Sequence, residues 1–172
     1  VLIIGASGSL GTAAVQLAKA FGAEVTGVCS GRNVALVQSL GAQTVIDYTK
    51  TNFLQSDEKY DVIFDTINNT TYGKCKHLLH EEGIYMSPVL NLPLLFNVVY
   101  TRFFATRKAK FAAAGLLPPP QLRGYLAELT KLMGQGKLRI VIDQEYSLGE
   151  AVAAHAYVDS GRKRGNVVLL PV

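Results

Sequence analysis

The residues best suited to chemistry stand at the start of the chain, where the apolar run VLII is followed by GASGSLG and then by TAAVQLAKA. Glycines recur at positions 5, 8 and 11, a looser spacing than G-x-G-x-x-G. Gly5 and Gly8 permit a tight turn and close backbone approach, and Gly11 lets a following helix pack on the strand. If strand, turn and helix form in that order, the free amides of Ser9, Leu10 and Gly11 converge with the positive end of the helix dipole. Such a site holds an anion, and a pyrophosphate fits it. Ser7 and Ser9 add hydroxyl contacts. The strand–turn–helix context predicts a dinucleotide site rather than a βα turn that needs small residues only for packing.

The end of the second strand selects the dinucleotide. A site for NAD places Asp or Glu there, to accept from the ribose 2′-hydroxyl. In this chain the strand EVTGVC runs into SGRN, and no acid occurs between Glu24 and Asp47. Ser30 offers a hydroxyl and Arg32 a guanidinium fork, both suited to a 2′-phosphate. The expected cofactor is therefore NADPH (NADP).

Rival constellations are weaker. Tyr72 and Lys76 form Y-x-x-x-K, the acid–base pair of short-chain dehydrogenases, but they fall too close to the glycine turn for that arrangement. Cys75, His77, His80 and Glu81 are metal-capable, yet no second ligand pair accompanies them, so no metal site is expected. His155 sits in an alanine-rich helix and reads as a packed residue. No spaced His–Asp set supports either Ser7 or Ser9 as a nucleophile.

These residues need elements to position them. Short apolar runs at 1–4, 24–29, 44–48, 60–66, 84–88, 108–115, 138–148 and 166–172 read as strands. Helical spacing marks 10–22, 33–41, 71–83, 118–136 and 149–161, with loop and helix over 89–107. The stripe Leu122, Tyr125, Leu126, Leu129, Leu132 and Met133 predicts one buried helix face, and the prolines of LLPPPQ mark its start. Alternating strands and helices imply right-handed crossovers and an α/β fold, a doubly wound, mostly parallel sheet of Rossmann type.

Composition fits a folded protein. The 172 residues are 49% hydrophobic and carry a mild, scattered net charge of +4, which argues for no nucleic-acid face. The uncharged stretch 84–101 is broken by Pro88, Pro93, Asn91 and Asn97, so it reads as strand, loop and helix rather than a membrane span. Cys29 and Cys75 show neither a C-x-x-C motif nor a disulfide framework, which fits a reducing, cytoplasmic setting. The chain opens on Val within a core strand, and further sequence is expected upstream.

The segments GASGSLGTAAVQLAKAFGAEVTGVCSGRNVALVQSLGAQTVIDY, YDVIFDT and GNVVLL together resemble the medium-chain dehydrogenase/reductase superfamily. The resemblance is closest to its zinc-independent quinone oxidoreductase-like branch and covers nearly the whole chain. It implies that Tyr48 lies beside the adenosine 2′-phosphate, in a pocket shared with Gly27, Ser30 and Arg32. It further implies that Thr66, Ser87, Pro88 and Val89 approach the ribose and nicotinamide, and that Arg162, Lys163 and Arg164 reach the cofactor. Residues 1–137 would form the NADP-binding Rossmann domain. Residues 138–172 would be a strand–helix–strand segment packing near a GroES-like catalytic domain, which is absent from this sequence. Substrate-contacting residues and any zinc ligands belong to that domain, so no catalytic residue is assigned here. The implied reaction is hydride transfer between nicotinamide and a quinone, enone or alcohol/carbonyl substrate. By itself the chain is expected to bind NADPH weakly and to turn over no small-molecule substrate. The resemblance also implies a homodimer through the sheet edge at KFAAAG. Two alternatives stand beside it: a non-enzymatic nucleotide-binding or redox-sensing module, and an atypical short-chain dehydrogenase/reductase.

Overall fold

Strand β1 (Leu2–Ile4) is three residues long, and all three are buried. Leu2 and Ile4 belong to one apolar cluster and Ile3 to another. Side chains alternate along a strand, so a strand apolar at every position must be covered on both faces. One face receives Val15 from α1 (Ser9–Ala20) and Val37 from α2 (Val34–Ser39). The other receives Tyr72 and Cys75 from α3 (Tyr72–Cys75) and Leu94 from α4 (Leu92–Phe104). The computed structural model in which these contacts occur describes residues 1–112 and 114–171. Ala113, within the predicted strand 108–115, and Val172, the end of the predicted strand 166–172, lie outside the described residues.

Six parallel strands form the main sheet in the order β3-β2-β1-β4-β5-β6. The remaining strands of that sheet are β2 (Thr26–Cys29), β3 (Thr44–Asp47), β4 (Tyr60–Asp65), β5 (Leu79–Ser87) and β6 (Lys108–Phe111). The chain winds outward from β1 to β3, then returns to β4 on the opposite side of β1. The resulting crevice between β1 and β4 is the switch point where doubly wound sheets bind ligands. The expected Rossmann-type architecture is thus the one observed.

A smaller parallel pair follows α5 (Pro119–Gly134). It consists of β7 (Ile142–Ser147) and β8 (Asn166–Leu170), connected through α6 (Ala151–Asp159). This strap is fastened to the main sheet beside the glycine turn. Gly165 N donates to Ser7 O at 2.8 Å, and Gly8 and Gly165 form an isolated parallel bridge. The Gln16 amide accepts from Arg139 N at 2.9 Å and donates to Arg139 O at 3.0 Å.

Three sequence expectations need correction. The helix expected over 71–83 stops at Cys75, a single tight turn spans Lys76–Leu78, and β5 begins at Leu79. Leu79 pairs with Tyr60, the register shifts before Val62 meets Ile84, and Glu82 takes a left-handed φ of 67°. His80, Glu81 and Glu82 are therefore exposed residues of a strand irregularity, and their polarity imitated a helix face. The α5 stripe is not buried as a face: Leu132 is buried, whereas Tyr125 and Leu126 are 59% and 62% exposed. On α6, His155 is exposed rather than packed, and Ala154 alone is buried. Among the described residues no helix is long and apolar enough to cross a membrane, and 84–101 divides into the end of β5, a loop and most of α4.

Candidate functional site

A cleft of about 720 Å³ opens at the C-terminal ends of β1, β2, β3 and β4. Its floor is the glycine turn. Gly5 leaves β1 with φ 77°, and the amides of Gly5 and Ala6 both donate to Val28 O. A side chain at Gly5 would meet Thr66 Oγ1 at 2.6 Å and Ile67 Cγ2 at 2.7 Å. Gly11 sits one helical turn on, where an added Cβ would lie 2.1 Å from Gly5 O. The helix can approach the turn this closely only with hydrogen at that position. Helix α1 has Gly8 at its N-cap, no side-chain cap and no acid in its first turn. Its leading amides are therefore offered to whatever occupies the cleft. Gly5, Ser7, Gly8, Ser9 and Leu10 all line it, while Gly11 supports the turn from beneath.

The second wall comes from the turn after β2, where Ser30 and Arg32 line the cleft as the sequence suggested. Arg32 is exposed, and its Nη2 donates to Arg162 O at 3.4 Å. Two neighbours went unread in the sequence. Asn33 is buried between the walls and donates through Nδ2 to Ser7 Oγ and Ser30 Oγ. Asp47, aligned with Cys29 at the end of β3, brings its carboxylate beside Gly31. Its Oδ1 accepts from Thr49 through both hydroxyl and backbone amide. The Thr49 hydroxyl bond is the chief cause holding its pKa below the usual carboxylate value. Asp47 does not line the cleft, whereas Tyr48 next to it does. Gly27 lies under this wall in the core, where a Cβ would strike Val37 and Ala6.

The third wall follows β4. Thr66 lines the cleft and anchors itself by donating to Ile4 O at 2.8 Å. The loop beyond is folded around the buried carboxylate of Asp65. One oxygen accepts from the amides of Ile67 and Asn69, the other from the Thr70 amide and the Tyr85 hydroxyl. Nothing in the sequence pattern separates this Asp from an exposed one, because its partners lie on a loop and a neighbouring strand. Ser87 ends β5, one strand further out, Pro88 and Val89 follow it, and none of the three lines the cleft.

The strap supplies the remaining wall. Lys163 lines the cleft and donates through Nζ to Ser9 Oγ and Gly165 O. Burial is the main cause lowering its pKa from the usual lysine value, opposed by the charge of Asp143. Arg162 contributes its carbonyl to Arg32, and Arg164 turns away to Asp143, where its backbone amide and guanidinium both bind the carboxylate. The Tyr157 hydroxyl completes that carboxylate's partners at 2.6 Å.

The rival constellations do not assemble. Tyr72 is buried, and its hydroxyl donates to Arg107 O at 3.1 Å, outside the cleft. His77 Nε2 lies 2.9 Å from Leu54 O. Cys29 and Cys75 are free and buried, and burial pushes both thiols up to about 11, so neither is a thiolate at neutral pH. Among the described residues no three His, Cys, Asp or Glu side chains gather as metal ligands. The cleft offers amides, hydroxyls, a guanidinium and an ammonium. Groups of these kinds suit an anionic ligand such as a phosphate.

Comparison with known proteins gives a consistent picture. A family model described as zinc-binding dehydrogenase matches residues 40–169. The chain is 33% identical to the mouse (Mus musculus) mitochondrial NAD(P)H oxidoreductase RTN4IP1, over 98% of this chain and 47% of that protein. A quinone oxidoreductase structure from Coxiella burnetii superposes with TM-score 0.80 at 31% identity, covering 98% of this chain and 51% of the other. An Escherichia coli quinone oxidoreductase complexed with NADPH superposes with TM-score 0.81 at 22% identity, covering 99% of this chain and 56% of the other, a likeness of fold. The chain thus spans about half the length of the proteins it matches.

Proposed function

Because the chain belongs to the zinc-binding dehydrogenase family, in the zinc-independent quinone oxidoreductase-like branch of the medium-chain dehydrogenase/reductase superfamily, we propose that it binds NADPH as the cofactor-holding part of an oxidoreductase. The observation that carries this reading is the set of uncapped leading amides of α1, opening into a cleft that Arg32 and Lys163 also line. The pyrophosphate would rest on the turn from Gly5 to Gly11. Ser30, Arg32 and Tyr48 would take the adenosine 2′-phosphate, Gly27 would support that wall from the core, and Thr66 would face the ribose. The nicotinamide would extend toward Ser87, Pro88 and Val89. The NADPH reported in the Escherichia coli neighbour supports the choice of ligand.

Bound NADPH would supply a hydride to a quinone, an enone or a carbonyl compound. This chain's residues would fix the dinucleotide's phosphates and hold its two ends apart along the sheet. Zinc does not fit the residues present, since no ligand cluster forms among those described, and zinc plays no part in the proposal. Residues 1–137 would act as the dinucleotide domain and 138–172 as a strap closing its phosphate end. Strand β6, last in the order of the main sheet, would pair with a second copy. The two free, buried cysteines suit a reducing compartment such as the cytoplasm.

Calorimetric titration of NADPH and NADH into the chain tests this directly. Arg32→Asp is expected to weaken NADPH binding by at least about tenfold and to leave NADH nearly unchanged. No binding of either dinucleotide would overturn the reading. A preference for NADPH that survives the substitution would remove Arg32 from the site.

A further inference from the structure

Asn33 joins the two turns that face the cleft, and it is only 4% exposed. Its Nδ2 donates to Ser7 Oγ at 3.0 Å and to Ser30 Oγ at 3.2 Å. Its Oδ1 is buried without a partner. A primary amide has two N–H donors, and here both are committed to serine oxygens. A hydroxyl that accepts at its oxygen must turn its own proton elsewhere. Neither serine hydroxyl donates to an acceptor among the described residues, and both side chains line the cleft. The arrangement thus leaves two O–H donors for a ligand, at the cost of one orphaned carbonyl. Turning the amide over would bury an unpaired NH₂ instead, the rarer defect in folded proteins, and would present serine lone pairs to the cleft.

We infer that Asn33 is a positioning residue that aims the Ser7 and Ser30 hydroxyls, as paired donors, at a phosphate monoester bound beside Arg32. Within the NADPH reading, on which this inference rests, that group is the 2′-phosphate of the adenosine ribose. A phosphate dianion only accepts hydrogen bonds, so it matches two fixed donors and a guanidinium. A free ribose hydroxyl must also donate, and the site offers it no carboxylate. Asp47 lies outside the cleft lining, with Oδ1 accepting from Thr49 and Oδ2 beside Gly31.

The test uses the whole chain and two probes that differ only in the 2′-phosphate, 2′,5′-ADP and 5′-AMP, titrated by calorimetry. Asn33→Leu keeps the branching of the side chain and removes both donors. It is expected to weaken 2′,5′-ADP by about tenfold and 5′-AMP by less than about twofold. A merely structural role would weaken both probes equally, and that outcome overturns the inference. A double-mutant cycle gives a second readout. Adding Asn33→Leu to a Ser7→Ala, Ser30→Ala chain is expected to cost nothing further, because Asn33 acts through those hydroxyls; full additivity overturns the inference. If Asn33→Leu does not fold, Asn33→Asp keeps the shape and reverses the polarity. Both hydroxyls would then donate to the carboxylate, and the preference for 2′,5′-ADP over 5′-AMP is expected to fall by at least about tenfold; an unchanged preference overturns the inference. Failure of the parent chain to bind either probe would instead count against the NADPH reading itself.

Discussion

The ammonium of Lys163 has exchanged water for the Ser9 hydroxyl and the Gly165 carbonyl, at the edge of a cleft suited to anions. Burial lowers its pKa, and the charge of Asp143 restores only part of the loss. In the unfolded chain this lysine titrates near the ordinary value of about 10.4. Between the lowered folded pKa and that value, the empty protein gains stability as pH rises, because the neutral amine suits the buried position better. An anionic ligand has the opposite preference and draws the proton back. NADPH affinity is therefore expected to decline as pH rises toward the ordinary lysine value of about 10.4, ahead of an ordinary lysine. Lys163→Met should bind more weakly with a flat profile, and Lys163→Arg should bind well throughout that range. Calorimetric titration at stepped pH measures all three, and an unchanged slope in the Met variant would assign the titration to another group. Ser7, Ser30 and Arg32 were legible in the sequence because each lies within a few residues of a turn that announces itself. Asn33, Asp47 and Asp65 were not. Their roles depend on partners that only the folded sheet brings near, and their residue types are equally common on open surface.

Helix α1 and the turn before it were legible as a unit, since strand, glycines and apolar spacing agree over a continuous stretch. The agreement has an energetic basis that can be measured. Gly11→Ala would place a methyl 2.1 Å from Gly5 O and 2.7 Å from the Ala6 Cα. The helix must then back away from the turn, at an expected cost of about 1–3 kcal/mol in stability. Urea unfolding reads that loss, and calorimetry should show a matching loss of NADPH affinity as the leading amides move. Retained affinity with lowered stability would mean that the amides are not the phosphate ligands. The segment 71–83 failed for the converse reason. Its polar residues at 80–82 belong to a strand irregularity opposite β4, and single-chain periodicity carries no information about pairing register. The α5 stripe failed differently again. Apolar spacing identifies a face, not what covers it, and Tyr125 and Leu126 remain exposed.

The parallel, doubly wound character of the main sheet follows from the alternation of elements, and the switch point beside β1 places the cleft without reference to any one residue. What alternation could not reveal is the way β7 and β8 are fastened to the rest. Gln16 carries much of that attachment through its paired bonds to the Arg139 backbone. Gln16→Leu would leave that amide and carbonyl without partners, at an expected cost of roughly 1–3 kcal/mol. Hydrogen exchange should quicken from about residue 138 onward while the six-stranded sheet stays protected; uniform quickening would mean that the two parts unfold as one. The bond from Gly165 to the Ser7 carbonyl joins two positions 158 residues apart in a chain of 172. A nascent polypeptide can make the glycine turn early, but it cannot fasten it until residue 165 has left the ribosomal exit tunnel. During synthesis that first loop therefore stays folded but unlatched while the six-stranded sheet is made, and the arrival of Gly165 closes it.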